Sequence, residues 1–300
     1  MRAEIIAVGT ELLLGQIVNT NAQFLSEQLA KLGINVYYHT VVGDNRDRLK
    51  RVIVQAEQRA EVLIFSGGLG PTEDDLTREV VSEVTGVPLI LHPPSLSALD
   101  DYFAKRGRQM TANNRKQAYA FEGGTVFANE NGTAPGLALA AHDRHYILLP
   151  GPPRELQPMF ARNVAPYLQR LLPRREVVHS RVLNFFGIGE SQLETEIIDL
   201  IRKQHNPTIA PLAKEGEVTL RLTARAPSLP EAKALIASTE KDIRHRVGTY
   251  IYGTDDDSLA KVVVNNLLRS KKTVAVAESC SGGLLSHMVT AVPGSSAAFL

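Results

Sequence analysis

"FSGGLGPTEDDLTREVV", residues 65–81, sets the reading of the whole chain. It starts at the end of an apolar run, EVLIF (61–65), and turns through Gly67, Gly68 and Gly70. It then passes three consecutive acids, Glu73, Asp74 and Asp75, and leaves in an amphipathic pattern. That order predicts a strand that hands the chain to a helix through a glycine loop. Loops of this kind hold anionic phosphates on bare backbone N–H groups. A phosphate loop with carboxylates of its own needs a reason, because like charges repel.

The flanking residues repeat the alternation. AEIIAV (3–8) predicts a strand. NTNAQFLSEQLAKLG (19–33) predicts a helix: capping residues open it, glycine closes it, and Phe24, Leu25, Leu29 and Leu32 recur at helical spacing. INVYYHTVV (34–42) is β-branched and aromatic, hence a strand, and NRDRLKRVIVQAEQRA (45–60) is a second helix. A β–α–β–α–β order implies a parallel sheet with right-handed crossovers. Ligands of such sheets bind beyond the carboxyl ends of the strands. VGTELLLG (8–15), VGDN (42–45) and SGGLGPTEDD (66–75) all fall at those ends, so three loops converge on one face.

This convergence gives the acids a purpose. Hard divalent cations take carboxylate oxygens together with substrate phosphate oxygens. The loop therefore reads as half of a metal–diphosphate site: Gly67, Gly68, Gly70 and Thr72 approach phosphate, and Glu11 and Asp44 stand at neighbouring strand ends. The competing reading is that Glu73, Asp74 and Asp75 only favour the next helix N-terminus, at about 0.3–1 kcal/mol each.

Further along, a helix is expected near 94–106, then TANNRKQA (111–118), strands at GLALAA (136–141) and YILLP (146–150), and a helix opened by PGPPRELQPMF (150–160). Its prolines fall where early helix positions tolerate them. AHDRHY, with His142 and His145, reads as a hairpin tip, and no Cys/His spacing suggests zinc. Residues 176–252 read as β–α–β–β–α–β, a split βαβ unit, with a strand pair turning at Glu215-Gly216. Ten Lys/Arg balance ten Asp/Glu between 176 and 251, and there is no GxxG loop. Nucleic acid is therefore not expected as a partner, and a spacer or dimerisation role is. A third segment holds a helix from 255, a strand TVAVA (273–277) and AESCSGG (277–283). It is expected to be an incomplete unit, too short for a core of its own.

Bulk properties agree with a small-molecule protein. Net charge is +1 in 300 residues, with 44% hydrophobic and 22% charged side chains, which argues against a duplex nucleic acid or an anionic membrane. Cys280 is the single cysteine, and no run approaches the ~20 apolar residues of a membrane span, so a cytoplasmic protein is expected.

The motifs VGTELLLGQIVNTNAQFLSEQLAKLG, VGDN, GGLGPTEDDLT, NRKQA, NGTAPG and PGPPREL, in that order, resemble the CinA competence/damage-inducible family over nearly the whole chain. The resemblance implies an α/β molybdopterin-binding-like domain at 1–170, a KH-like α+β domain at 171–253, and the start of a C-terminal deamidase domain at 254–300. GGLGPTEDDLT resembles the pterin-binding loop of molybdenum-cofactor proteins, with Leu69 where those have threonine; this places Asp75 and Asp44 on functional aspartates. The implied activity is a metal-dependent ADP-ribose pyrophosphatase, using magnesium, manganese or cobalt and giving AMP and ribose 5-phosphate, in a homodimer. On that footing Asp44 and Asp75 serve metal or water activation and Asp74 joins them as a ligand. Glu11 and Asn19 take the ribose or support the metal, and Arg115 neutralises diphosphate charge. Lys116 is either a second such cation or a solvated helix face. NGTAPG is either a plain turn or pocket wall. AESCSGG implies deamidation of nicotinamide mononucleotide with Ser279 as nucleophile, Cys280 being its rival. The alternative for the first domain is a pterin- or nucleotide-binding module without turnover.

Overall fold

A computed structural model of the chain describes residues 1–172, 177–214 and 216–300. The chain divides into two compact units, Met1–Arg175 and Glu176–Leu300. The stretch 173–176 and Glu215 of the expected turn lie outside the described residues. No described helix is long and apolar enough to cross a membrane.

The first unit opens with β1 (Arg2–Val8), the short α1 (Thr10–Leu13), α2 (Thr20–Lys31), β2 (Asn35–Val42), α3 (Arg46–Glu57) and β3 (Val62–Ser66). Both β2 and β3 lie parallel to β1, as the alternation requires. The side-chain period of two splits each inner strand between two cores. Ile6, Leu63 and Phe65 face Leu49 and Ile53 of α3 on one side, and Ile5 and Ile64 face Leu25 and Leu29 of α2 on the other. Each fully buried leucine or isoleucine contributes about 1.5–3 kcal/mol.

The chain continues through α4 (Thr77–Thr85), β4 (Leu89–Leu91), α5 (Pro93–Ala104), a 3₁₀ turn at Ala112–Ala118, β5 (Tyr119–Phe121) and β6 (Thr125–Phe127). It ends with β7 (Gly136–Ala141), β8 (Arg144–Leu149), α6 (Pro153–Met159) and α7 (Ala165–Leu171). The sheet order is β2-β1-β3-β8-β7-β6. β8 runs parallel to β3, while β7 is antiparallel to β8 and β6 to β7. His142 and Asp143 sit at the tip of the β7–β8 hairpin with positive φ. Because β7 runs the other way, the loop that enters it, 128–135, meets the loops that leave β1, β2, β3 and β8.

The second unit contains β9 (Val177–Phe185), α8 (Glu190–Lys203), β10 (Thr208–Lys214), β11 (Glu217–Ala226), α9 (Leu229–Val247) and β12 (Ile251–Thr254). Its sheet order, β10-β11-β9-β12, is antiparallel throughout, which is the split βαβ arrangement read from the sequence. Leu193 and Ile197 of α8 and Ile236 and Ile243 of α9 bury against Leu183, Leu220 and Leu222. Beyond it lie α10 (Leu259–Ser270) and α11 (Leu284–Thr290). The strand expected at 273–277 does not form: Val274 makes a single parallel bridge to Phe299. A strand needs a partner along its length, and among the described residues Val274 bonds only to Ala298 and Leu300.

Candidate functional site: a cleft at the strand ends

Four loops leave parallel strands at one rim, and backbone bonds stitch them: Gly9 N–H donates to Val42 O at 3.0 Å and Gly67 N–H to Leu149 O at 3.0 Å. They surround a cleft of about 390 Å³ lined by Glu11, Asp44, residues 67–72, Asp74 and Asp75. Gln117, Thr133, Ala134 and Glu155 close its far side. Of the two readings of NGTAPG, the structure places Thr133 and Ala134 in the cleft wall.

Two carboxylates on this rim are held alike. Asp44 Oδ2 accepts from Thr10 N–H at 2.8 Å and Thr10 Oγ1 at 2.7 Å. Asp75 Oδ2 accepts from Thr72 N–H at 3.0 Å and Thr72 Oγ1 at 2.6 Å. Bonds to an ionised acceptor are about twice as strong as neutral ones, so each carboxylate is oriented through one oxygen. Oδ1 of each makes no hydrogen bond among the described residues. Thr72 is thus engaged with Asp75, and Thr10, which sequence reasoning passed over, does the same for Asp44. A threonine one residue past a strand-end glycine was the available signal.

The loop's glycines answer to its own packing as well as to any ligand. Gly67 has φ +103°, and a Cβ there would stand 2.2 Å from the Val8 carbonyl oxygen. A Cβ on Gly70 would stand 2.3 Å from Asp75 Oδ2, so glycine at 70 lets the aspartate fold back over the loop.

Cations stand behind the acids. Lys116 Nζ donates to the Asp75 carbonyl at 3.0 Å and also to the Thr72 carbonyl. The neighbouring Arg115 is exposed and does not line the cleft. Arg78 of α4 is fully buried, with Nη2 donating to Leu69 O at 3.4 Å, while Nε and Nη1 have no partner among the described residues. Burial pushes its pKa down, opposed by the charges of Glu79 and Asp75. An arginine keeps its charge in proteins, so this one is a fixed positive charge beneath the glycine loop. Its sequence context, the first turn of an amphipathic helix, gave no sign of burial.

Asn19 caps α2, its side chain accepting from Ala22 N–H at 3.1 Å, and it does not line the cleft. Asn21, two residues on, donates to Gly151 O at 2.6 Å and so ties α2 to the loop after β8. Glu155 was also missed: it is buried and accepts from Asn129 Nδ2 at 2.8 Å. Its place in the first turn of the helix opened by PGPPREL was the only hint.

Among the described residues, no group of three or more His, Cys, Asp or Glu side chains is arranged to hold a metal ion. Asp44, Asp74 and Asp75 nonetheless stand along one cleft with hard oxygen donors. That set does not make a closed cage; it fits a cation that arrives with phosphate oxygens and uses one or two carboxylates.

In the second unit Ser279 is exposed, and its Oγ lies 3.8 Å from Cys280 Sγ. No base hydrogen-bonds to it among the described residues. Glu278 points instead to the start of α11, accepting from Leu285 N–H at 2.9 Å, Ser286 N–H at 2.8 Å and the hydroxyls of Ser281 and Ser286. The Ser286 hydroxyl, followed by that of Ser281, holds the Glu278 pKa down to about 2.

Comparison with known proteins fits both units. Residues 4–170 match the probable molybdopterin binding domain family, 180–253 the damage-inducible protein CinA KH domain, and 256–300 the CinA C-terminal domain. A competence-damage inducible protein of Geobacillus sp. (strain WCH70) is 56% identical over 296 residues, covering 99% of this chain and 71% of that protein. The chain belongs to the CinA family. A Bacillus cereus (strain AH820) member is 54% identical over 299 residues, covering 100% of this chain and 72% of its own length. A solved CinA structure from Thermoplasma acidophilum superposes with a TM-score of 0.50 at 32% identity, covering 54% of this chain and 95% of that one. CinA membership thus assigns the first unit an α/β molybdopterin-binding-like fold.

Proposed function

We propose that the first unit hydrolyses the diphosphate of ADP-ribose, with a divalent cation, to AMP and ribose 5-phosphate. The observation that carries this reading is the matched pair, Asp44 held by Thr10 and Asp75 by Thr72, on the rim of a glycine-loop cleft. The backbone of Gly67, Gly68 and Gly70 approaches the diphosphate, and Lys116 and Arg78 offset the charge of the acids around it. Asp44, Asp74 and Asp75 are the residues that would hold magnesium, manganese or cobalt, which when bound screens the diphosphate and favours attack by water. In this reading the Oδ1 atoms of Asp44 and Asp75, uncommitted among the described residues, orient that water and take its proton. Water adds to one phosphorus, the bridging P–O bond breaks with its electron pair on the departing phosphate oxygen, and the proton taken by the aspartate passes to that phosphate or to solvent.

The test is AMP release from ADP-ribose by the purified chain, with each metal and with chelator. Metal-dependent release of AMP and ribose 5-phosphate in equal amounts is expected. The second reading, a pterin- or nucleotide-binding module without turnover, needs only the glycine-loop cleft itself. Tight nucleotide binding with no release under any metal would establish it. For the second unit, membership in the family supports nicotinamide mononucleotide deamidation only for chains in which Ser279 gains a base.

A further inference from the structure

We propose that a second, larger cavity beside the cleft is a nucleoside subsite: it takes the planar base and ribose of a ligand whose phosphates lie on the glycine loop. The inference rests on the diphosphate reading above and adds to it where the organic half of the substrate goes.

The cavity has a volume of about 700 Å³, and α5, β5, β6 and the 128–135 loop enclose it. Sites for small organic ligands measure about 300–1,000 Å³ and are apolar with a few convergent polar groups. The two hollows share a wall. Thr133 lines both, and its Oγ1 accepts from Gln117 Nε2, a cleft residue, at 3.1 Å. Asn129 lines the cavity and donates to Glu155, which lines the cleft. The wall between them is thus built of side-chain hydroxyl, amide and carboxylate groups.

The lining selects the class of ligand. Phe121 and Val126 make an apolar wall, while Ser95, Asp101 and Asn129 bring donors and acceptors. At the mouth, the Arg106 guanidinium lies 3.7 Å from the Tyr102 ring centroid, a stacked planar pair. Nucleobases stack on aromatic rings and on arginine planes and are read at their polar edges. A lipid chain would leave the polar groups unpaired, and an inorganic ion would not use the apolar wall.

The experiment compares binding of AMP with binding of ribose 5-phosphate to the full chain by titration calorimetry, without catalysis. The two ligands share a phosphate and a ribose and differ by the base. A preference for AMP of about 10-fold or more is expected from stacking. Ala98→Trp, from an exposed lining position on α5, fills the space of the base with an indole, and Tyr102→Ala removes the ring. Each should reduce the preference to about 2-fold, with Tyr102→Phe restoring it. Unchanged thermal melting of the three variants confirms that they fold. No AMP preference in the native chain, or a preference intact in both variants, overturns the proposal. This readout separates the two ideas. Failure to cleave ADP-ribose with the preference present removes the reaction but leaves the subsite. Cleavage whose KM is unmoved by Ala98→Trp and Tyr102→Ala removes the subsite but leaves the reaction.

Discussion

Residues 66–76 and 277–283 are written in the same local grammar: a short apolar run, a glycine turn, then a helix. Their structures diverge. The first run is β3, buried at every position and paired on both sides, with β1 and with β8. The second, TVAVA, makes one bridge, and the serine and cysteine after it are exposed. The first turn carries Asp75, a carboxylate fixed by two hydrogen bonds. The second carries a hydroxyl with no base beside it. A glycine turn supplies a bend, but positional accuracy comes from the rails on either side of it, and those are contributed by distant sequence.

The comparison can be broken most directly by chemistry. Asp75→Asn and Asp44→Asn should each lower ADP-ribose turnover on the order of 100-fold or more, the usual contribution of a positioned proton acceptor. Near-native steady-state rates for both would place the chemistry elsewhere. A stability contrast comes next. Gly67→Ala forces a positive φ and a contact with the Val8 carbonyl, so a loss of about 3 kcal/mol or more is expected in denaturant melts. Gly282→Ala also sits at positive φ but meets nothing within 4 Å, so its cost should stay near the strain alone, about 1–2 kcal/mol. Equal costs would erase the distinction between a braced and an unbraced turn.

Arg78 sharpens the comparison from beneath. With Nε and Nη1 unpaired, its guanidinium contributes little to folding, so Arg78→Met should change stability by about 1 kcal/mol or less while slowing turnover. A loss several times larger would show that the charge is bonded after all. The smallest effect is expected at the second turn. The Glu278 pKa falls from 4.5 to about 2, so its hold on α11 is complete above the unfolded value and lost as pH drops through the folded one. The amide resonances of Leu285 and Ser286 should therefore titrate with a midpoint near pH 2. A midpoint near 4.5 would mean that the carboxylate does not cap the helix.

What the sequence displayed was what local spacing controls. Leu25 and Leu29 announce α2 by their period, and the β-branched run 34–42 announces β2, because one face of each must be buried. The three-residue strands β4, β5 and β6 are too short to show a period. TVAVA has strand composition without a strand's partner. Within the site, Asp44, Asp74, Asp75 and the glycines were legible because strand ends converge by topology. The resemblance puts Arg115 at the diphosphate and leaves Lys116 open, but Lys116 is the one that reaches the loop, since which of two adjacent cations turns inward depends on the 3₁₀ turn that carries them. Asn19 shows the same limit: an asparagine before a helix serves equally as a cap or as a ligand, and here its own bond from Ala22 N–H decides. The burial of Arg78 arises from packing between the glycine loop and α4, which no window of sequence contains.

The reversed direction of β7 has a consequence for how relatives of this chain can diverge. The carboxylates sit on outgoing segments, each anchored at both ends to the sheet or its helices. The 128–135 segment is an incoming one, joined to the rim mainly through Asn129 and Thr133. Length or composition can change there without shifting Asp44 or Asp75. On the reading proposed above, reaction and substrate choice are written in different stretches of the polypeptide, and a chain of this design can acquire a new leaving group while keeping its old chemistry.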